Sequence, residues 1–350
     1  MHPHLAAASK IAGIHFLGQP NMDFLKVDPT TKNIMAMDAQ SALVTTSNAG
    51  IPAFLTTYLD PKIIEILVTP MKATEIVGEE RKTGDFTTET AMFEVVESTG
   101  EVSSYGDYNE NGTAGVNFDF PQRQSYTYQT ITQWGERQLE RAGLAKLDLA
   151  SRLNESSILT LNKFQNLSYF FGIAGLQNYG LLNDPNLLPV ITPTIKAAGG
   201  TDWLNPTTLQ PNATALEVVA DIQMMFATLQ NQAPGLVTLA SKLTLAMSPV
   251  SEVAMTFTNN FNVNVMDILN KIFPNLTIKT APEYATASGN LVQMIADEVE
   301  GQRTAITSFT EKLRAHPVKV ELSSFLQKKS QGTWGTIIFR PIFIVGMLGV

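Results

Sequence analysis

Phe86-Thr-Thr-Glu-Thr-Ala-Met-Phe-Glu-Val-Val96 and Val116-Asn-Phe-Asp-Phe120 alternate apolar and polar residues, the period-two pattern of β-strands. They lie in a stretch, residues 78–124, that is punctuated by Gly84, Gly100, Gly106, Gly112 and Gly115. Asn111-Gly112 is a tight-turn signal between them. The spacing predicts a turn-rich hairpin of ~45 residues with too little apolar content for a core of its own. A segment of that length and composition is ordered by something outside itself, or it is functional.

The neighbouring sequence has the opposite character. Over residues 134–171, Leu139, Ala142, Ala145, Leu149, Leu153, Ile158, Leu161, Phe164 and Leu167 fall near helical spacing, and no proline interrupts. A single helix of ~50 Å is predicted there, at ~1.5 Å rise per residue. Its polar face mixes Glu136, Arg137, Glu140, Arg141, Lys146, Asp148, Arg152 and Glu155. That set reads either as a solvated face with local pairs or as a stripe that docks on a neighbouring chain.

Upstream, residues 1–50 lack a sustained period and read as an extended arm. Residues 54–67 are compactly apolar, with Asp60-Pro61 opening a short helix. Residues 71–77 read as a short strand. Downstream, Asn178-Tyr-Gly-Leu-Leu-Asn-Asp-Pro185, followed by Pro189 and Pro193, marks a domain transition. Residues 183–316 then alternate helices (216–230, 265–272) with strands (243–247, 276–280, 292–297, 305–309), as a compact α/β unit does. Residues 318–326 and 335–348 are β-like and close the chain.

Composition bounds the function. Of 350 residues, 44% are hydrophobic and only 16% charged. Soluble domains usually carry about 25% charge, so much of this surface is expected to be covered, and self-association is the simplest cover. Asp and Glu number 32 against 24 Lys and Arg, a net charge of −8, which argues against a dedicated nucleic-acid binder. There is no cysteine, hence no disulfide, thiolate nucleophile or Cys-based metal site. Of four histidines, His2, His4 and His15 sit in the arm and only His316 in the body, so histidine-based catalysis is not expected. The N-terminus lacks a signal-peptide pattern. The apolar C-terminus carries Arg340 and Pro341 and falls short of the ~20 residues of a membrane span. Synthesis in a cytoplasm, with no membrane partner, is the expectation.

Phosphate-binding, dinucleotide-binding, zinc-protease, calcium-loop and nucleophile-elbow motifs are absent from the sequence. Glu79-Glu80 and Asp297-Glu298 are adjacent carboxylates, but neighbours on a strand point to different faces and are not expected to act as an acid–base dyad. Arg123 with Tyr126 and Tyr128 reads as a strand with aromatic packing, in preference to a single-strand nucleic-acid platform. No catalytic, cofactor or metal residue is nominated.

The order of parts, and Tyr105-Gly-Asp-Tyr108, Phe120-Pro-Gln-Arg123, Phe171-Gly172, Tyr179-Gly-Leu-Leu-Asn-Asp-Pro185, Gly332-Thr-Trp-Gly335 and Phe339-Arg340-Pro341, resemble one branch of tailed-phage major capsid proteins with the α+β HK97-type fold. The resemblance implies an N-terminal arm (1–50) and a P-domain (51–182) that contains an E-loop hairpin (78–124) and a spine helix (134–171). An A-domain (183–316) and a closing β-segment of the P-domain (317–350) would follow. It implies a non-enzymatic subunit without cofactors, self-assembling through hexamers and pentamers into an icosahedral shell around double-stranded DNA. Portal, scaffolding and decoration proteins would be its other partners, the host cytoplasm its place of assembly and the virion its location. An encapsulin-like compartment shell is the alternative on the same fold; a soluble carboxylate-dependent enzyme is the alternative from another class. Lys82 is the only lysine of the hairpin and no Asn and Glu can be nominated to join it, so a covalent inter-subunit crosslink is not expected. Charge pairs are expected to substitute for it, with Arg81, Lys82, Asp85, Glu89, Arg123, Arg137 and Arg141 as candidate inter-subunit contacts.

Overall fold

The computed structural model describes residues 71–144, 148–205 and 207–350. The arm expected over 1–50 and the apolar stretch 54–67 lie outside the described residues. In chain order the elements are α1 (Ala73–Val77), β1 (Glu80–Lys82), β2 (Thr90–Met92), β3 (Val95–Gly100), β4 (Ala114–Asp119), β5 (Gln122–Gln124), β6 (Tyr126–Gly135), α2 (Glu136–Leu144), α3 (Leu149–Phe171) and α4 (Ala215–Gln232). There follow β7 (Leu243–Met247), α5 (Pro249–Glu252), α6 (Val265–Ile272), β8 (Leu276–Thr280), β9 (Ala285–Thr286), β10 (Gly289–Ala296), β11 (Glu298–Val299), β12 (Gln302–Arg303), β13 (Ala305–Ala315), β14 (Lys319–Glu321), β15 (Ser324–Ile338) and β16 (Ile344–Leu348).

Two sheets organise these elements. The first runs β1-β13-β15-β14, with β6 also paired to β15, and the 15-residue β15 is its axis. All ten residues of β6 pair antiparallel with β15, from Tyr126 opposite Thr333 to Gly135 opposite Ser324. Helix α3 packs along this sheet. The second sheet runs β16-β10-β7-β8, and α4 and α6 cover it. Its core holds Trp203, Val218, Ile222, Met225, Leu245 and Phe273, all buried. A capping box starts α4: the Thr214 hydroxyl accepts from the Glu217 backbone N–H, and the Glu217 carboxylate accepts from the Thr214 N–H. A further core draws on both sheets, joining Ile76 and Val77 of α1 and Phe170 of α3 to Ile295 of β10 and Ile338 of β15.

Four expectations are corrected. Residues 71–77 form helix α1, not a strand. The buried Ala73, Ile76 and Val77 are spaced i, i+3, i+4, and Gly78 closes the turn at φ 85°. The single helix over 134–171 is instead a strand end and two helices. Trp134 is the penultimate residue of β6, where it stacks on Phe325 of β15 at 6.1 Å. The Asp148 carboxylate then accepts from the Ser151 N–H at 3.1 Å and starts α3 afresh, because a side-chain acceptor at that point competes with helix continuation. The boundary expected at 316/317 falls inside the antiparallel pair β13–β15, so β13 belongs with the first sheet. The closing segment is also divided: β15 lies in the first sheet, but after a 3₁₀ turn at Pro341–Phe343, β16 joins the second beside β10.

Candidate assembly interface

Three of the quoted motifs meet at one junction. Phe171-Gly172 ends α3, Tyr179-Gly180 follows it, and Trp334-Gly335 lies on β15. The Thr336 N–H donates to the Tyr179 carbonyl at 3.0 Å, and the Leu181 N–H to the Tyr169 carbonyl at 2.9 Å. Asn178 Nδ2 donates to the carbonyls of Gln124 at 3.0 Å and Thr333 at 3.1 Å, tying the hairpin root to the long sheet. Backbones approach so closely that a Cβ on Gly180 would lie 2.2 Å from the Phe170 carbonyl carbon, and one on Gly335 would lie 2.2 Å from the Tyr179 oxygen. These glycines are required for packing.

Beyond that root the hairpin changes character. Phe93 is buried with Ile306, Trp334 and Ile337, but no residue from 94 to 120 is buried. Among the described residues, strands β3 and β4 pair only with each other, from Val95 opposite Asp119 to Gly100 opposite Ala114. Val96, Val116, Phe118 and Phe120 are half exposed or more, and Tyr105 and Tyr108 at the tip are fully exposed. The tip is nonetheless ordered: Asn109 Nδ2 donates to Ser103 Oγ at 3.0 Å and to the Ser104 carbonyl at 2.7 Å. A two-stranded ribbon without a buried face has little stability alone. The hairpin thus matches the expectation of a segment without its own core.

The candidate contact residues separate into two sets. Arg81, Glu89, Arg137 and Arg141 are exposed and make no ion pair among the described residues. Arg137 and Arg141 stand one turn apart on α2, a helix with no buried residue, and line a shallow open depression with Gly135, Glu136, Gln138, Glu140 and Ser323, a mixed-charge surface. Lys82 and Asp85 pair with each other at 3.1 Å on the surface. Arg123 is a correction. It is 6% exposed, pairs with the buried Asp184 carboxylate at 3.0 Å and lies 4.9 Å over the Tyr179 ring. Its guanidinium holds the junction within the subunit and is not free for a neighbour. Asp184 was invisible as a partner because 61 residues separate it from Arg123.

The adjacent carboxylates go to different partners, as expected. Glu79 pairs with Arg303 at 3.5 Å, whereas Glu80 pairs with Lys312 and accepts from Tyr169 Oη at 3.2 Å. Burial holds the Asp297 carboxyl above the usual carboxylate range, while Glu298 faces Lys242 at 3.8 Å. Tyr126 and Tyr128 pack against Phe164 of α3, at 6.1 and 4.5 Å between ring centres, which is the aromatic strand packing expected there. Among the described residues no group of three His, Asp or Glu side chains is placed to hold a metal ion, and no helix is long and apolar enough to cross a membrane.

A family model described as the Pa193 gp26 major capsid protein matches residues 42–349. The chain belongs to this major capsid protein family. Solved structures agree on the fold. The capsid of Myoviridae phage XM1 superposes with a TM-score of 0.69 over 86% of this chain and 99% of that one, at 14% identity. The capsid of a native GTA particle gives 0.58 over 87% and 99%, at 9% identity. The Mycobacterium phage Ogopogo structure gives 0.53 over 88% and 99%, at 11% identity. No curated protein sequence matches the chain. The fold is the HK97-type α+β capsid fold, and the chain is a capsid shell protein that associates with copies of itself in a virion.

Proposed function

We propose that this subunit assembles through hexamers and pentamers into a closed icosahedral shell enclosing double-stranded DNA. The observation that carries the reading is the hairpin with no buried residue from 94 to 120. Its half-exposed Val96, Phe118 and Phe120 are covered only if another chain lies against them. In this reading residues 78–124 are the E-loop, lying across the adjacent subunit, and residues 1–50 are an arm reaching over a neighbour. The P-domain is built on the β1-β13-β15-β14 sheet with α3, and the A-domain on the β16-β10-β7-β8 sheet, with its tips around the capsomer axes.

The exposed Arg81, Lys82, Asp85, Glu89, Arg137 and Arg141 set register and curvature between subunits, each contributing ~0–1 kcal/mol at a wet interface. The net charge of −8 suits a shell that holds DNA without gripping its phosphates. A portal, a scaffolding protein and a decoration protein complete the particle, which assembles in the host cytoplasm. The role is structural, with no catalytic step and no cofactor.

Negative-stain electron microscopy of the purified chain, alone and with lysate of its source, tests the reading. Closed particles with angular outlines and packaged DNA are expected. Closed particles carrying an enzyme in place of DNA would make this a compartment shell, and a uniform small oligomer under every salt and scaffold condition would overturn the shell reading.

A further inference from the structure

Asn111-Gly112 is the only Asn-Gly pair in the sequence. It lies between β3 and β4, at the exposed end of the hairpin. An asparagine followed by glycine has a chemistry of its own. The backbone nitrogen of the following residue can close on the carboxamide carbon, and glycine presents that nitrogen with no Cβ beside it. Whether the reaction runs depends on what holds the two groups.

The asparagines of residues 83–122 are Asn109, Asn111 and Asn117, and they are held differently. Asn109 is engaged at both ends of its carboxamide. Its Nδ2 donates to Ser103 Oγ at 3.0 Å and to the Ser104 carbonyl at 2.7 Å, and its Oδ1 accepts from the Asn111 N–H at 3.0 Å. Asn117 lies within β4, opposite Glu97, and Phe118 follows it. Asn111 is exposed, and its carboxamide makes no hydrogen bond among the described residues. Nor does the Gly112 N–H. Gly112 stands at φ 98°, and a Cβ there would lie 3.2 Å from Ser103 N, so the turn itself demands glycine at this position. Both reacting groups are therefore free and exposed to water, whereas the carboxamide next to them is tied.

We infer that Asn111 is a site of spontaneous deamidation, and that its product opens the hairpin tip and takes aged subunits out of assembly. The Gly112 nitrogen loses its proton and bonds to Cγ of Asn111. The Cγ–Nδ2 bond breaks, and the side-chain nitrogen leaves as ammonia with that proton. Water then opens the cyclic imide at either carbonyl. One opening gives aspartate on the original main chain; the other gives isoaspartate, with the main chain running through the side chain. Isoaspartate adds a methylene inside the turn that the Glu101 N–H closes on the Thr113 carbonyl at 2.8 Å. Either product adds a carboxylate to residues 83–122, which hold eight acids and no Lys or Arg, so the new charge meets only its own sign there. The reaction is a property of the chain alone; its effect on assembly rests on the shell reading.

The test ages the purified, unassembled chain at mildly acidic and mildly alkaline pH. Trypsin releases the segment whole, as residues 83–123, because Lys82 and Arg123 flank it. Mass spectrometry with electron-transfer fragmentation is expected to find aspartate and isoaspartate at position 111, accumulating faster at the higher pH because the attacking nitrogen must lose its proton. Asn109 and Asn117 are expected to stay intact over the same period. No conversion at 111, or equal conversion at the three asparagines, overturns the site. Asn111→Gln, whose longer side chain disfavours the five-membered ring and whose loss breaks no hydrogen bond, is expected to abolish the reaction; isoaspartate at an undiminished level in that variant also overturns it. For assembly, the shell yield of the aged chain is expected to fall in proportion to the converted fraction, while aged Asn111→Gln keeps the yield of fresh protein. Equal yields from the two aged chains overturn the effect on assembly. Absence of shells from the fresh chain overturns the shell reading instead, and conversion at 111 is scored independently of it.

Discussion

The α4- and α6-covered sheet and the β3–β4 hairpin are built from similar strands and reach opposite outcomes. Every residue of β7 is buried, and Phe273 meets Phe226 edge to face at 4.9 Å. No residue of β4 is buried. The first region is completed by its own chain. The second is ordered locally by turns and the Asn109 hydrogen bonds, and in the proposed shell its apolar side chains are covered by another copy. Under that proposal the same physical force, burial of apolar area, acts at two times, in folding for one region and in assembly for the other.

That contrast can be broken by mutation. Phe273→Ala is expected to cost about 3–5 kcal/mol of subunit stability, as large-to-small core changes do, measured by urea unfolding of the unassembled chain. A cost below ~1 kcal/mol would show that this core does not carry the subunit. Arg123→Met should cost about 3 kcal/mol in the same assay, because it leaves the fully buried Asp184 carboxylate without its partner. Near-neutral behaviour would restore Arg123 as a candidate for contact with a neighbour.

A smaller effect is expected at Glu283, which holds Asn166 of α3 at 2.7 Å while its Oε2 is buried without a partner. Burial raises this carboxyl above the usual range. The folded chain therefore keeps its proton to a higher pH than the unfolded chain, and the associated stability is lost as pH rises through the folded value. Glu283→Gln keeps the group neutral, so it should raise the Tm at neutral pH, with a gain that shrinks as pH falls into the ordinary carboxylate range. A loss of Tm at every pH would show that the charged form is needed.

The smallest effect on folding is expected in the hairpin. Val96→Ser combined with Phe118→Ser should change subunit stability by no more than ~0.5 kcal/mol, yet abolish closed particles in electron microscopy. Hydrogen exchange sharpens the point: residues 94–120 should exchange quickly in the unassembled chain and slowly in shells. Strong protection in a monomer would mean that the hairpin needs no neighbour.

Local pattern made much of this legible. Alternation and glycine spacing located the hairpin and its missing core, because period two and turn residues act over a few positions. The helices near 216–230 and 265–272 followed from spacing, and the structure adds the side-chain caps at Thr214 and Asn264. Low charge and the lack of cysteine pointed away from catalysis and towards covered surface. The resemblance motifs led to the fold, although their physical role, the close approach of Gly172, Gly180 and Gly335, joins residues 170–180 to the distant β15.

Other features were decided only in three dimensions. Trp134 has the spacing of a helix but ends a strand, because pairing with β15 and stacking on Phe325 outweigh local propensity. Residues 71–77 were too short for periodicity to separate strand from helix. The assignment of β13 to one sheet and β16 to the other, and the capture of Arg123 by Asp184, depend on partners tens of residues away. A sequence states what each segment can bury or bond; which partner it meets is settled by the packing of the whole chain, since long-range contacts carry no local signature.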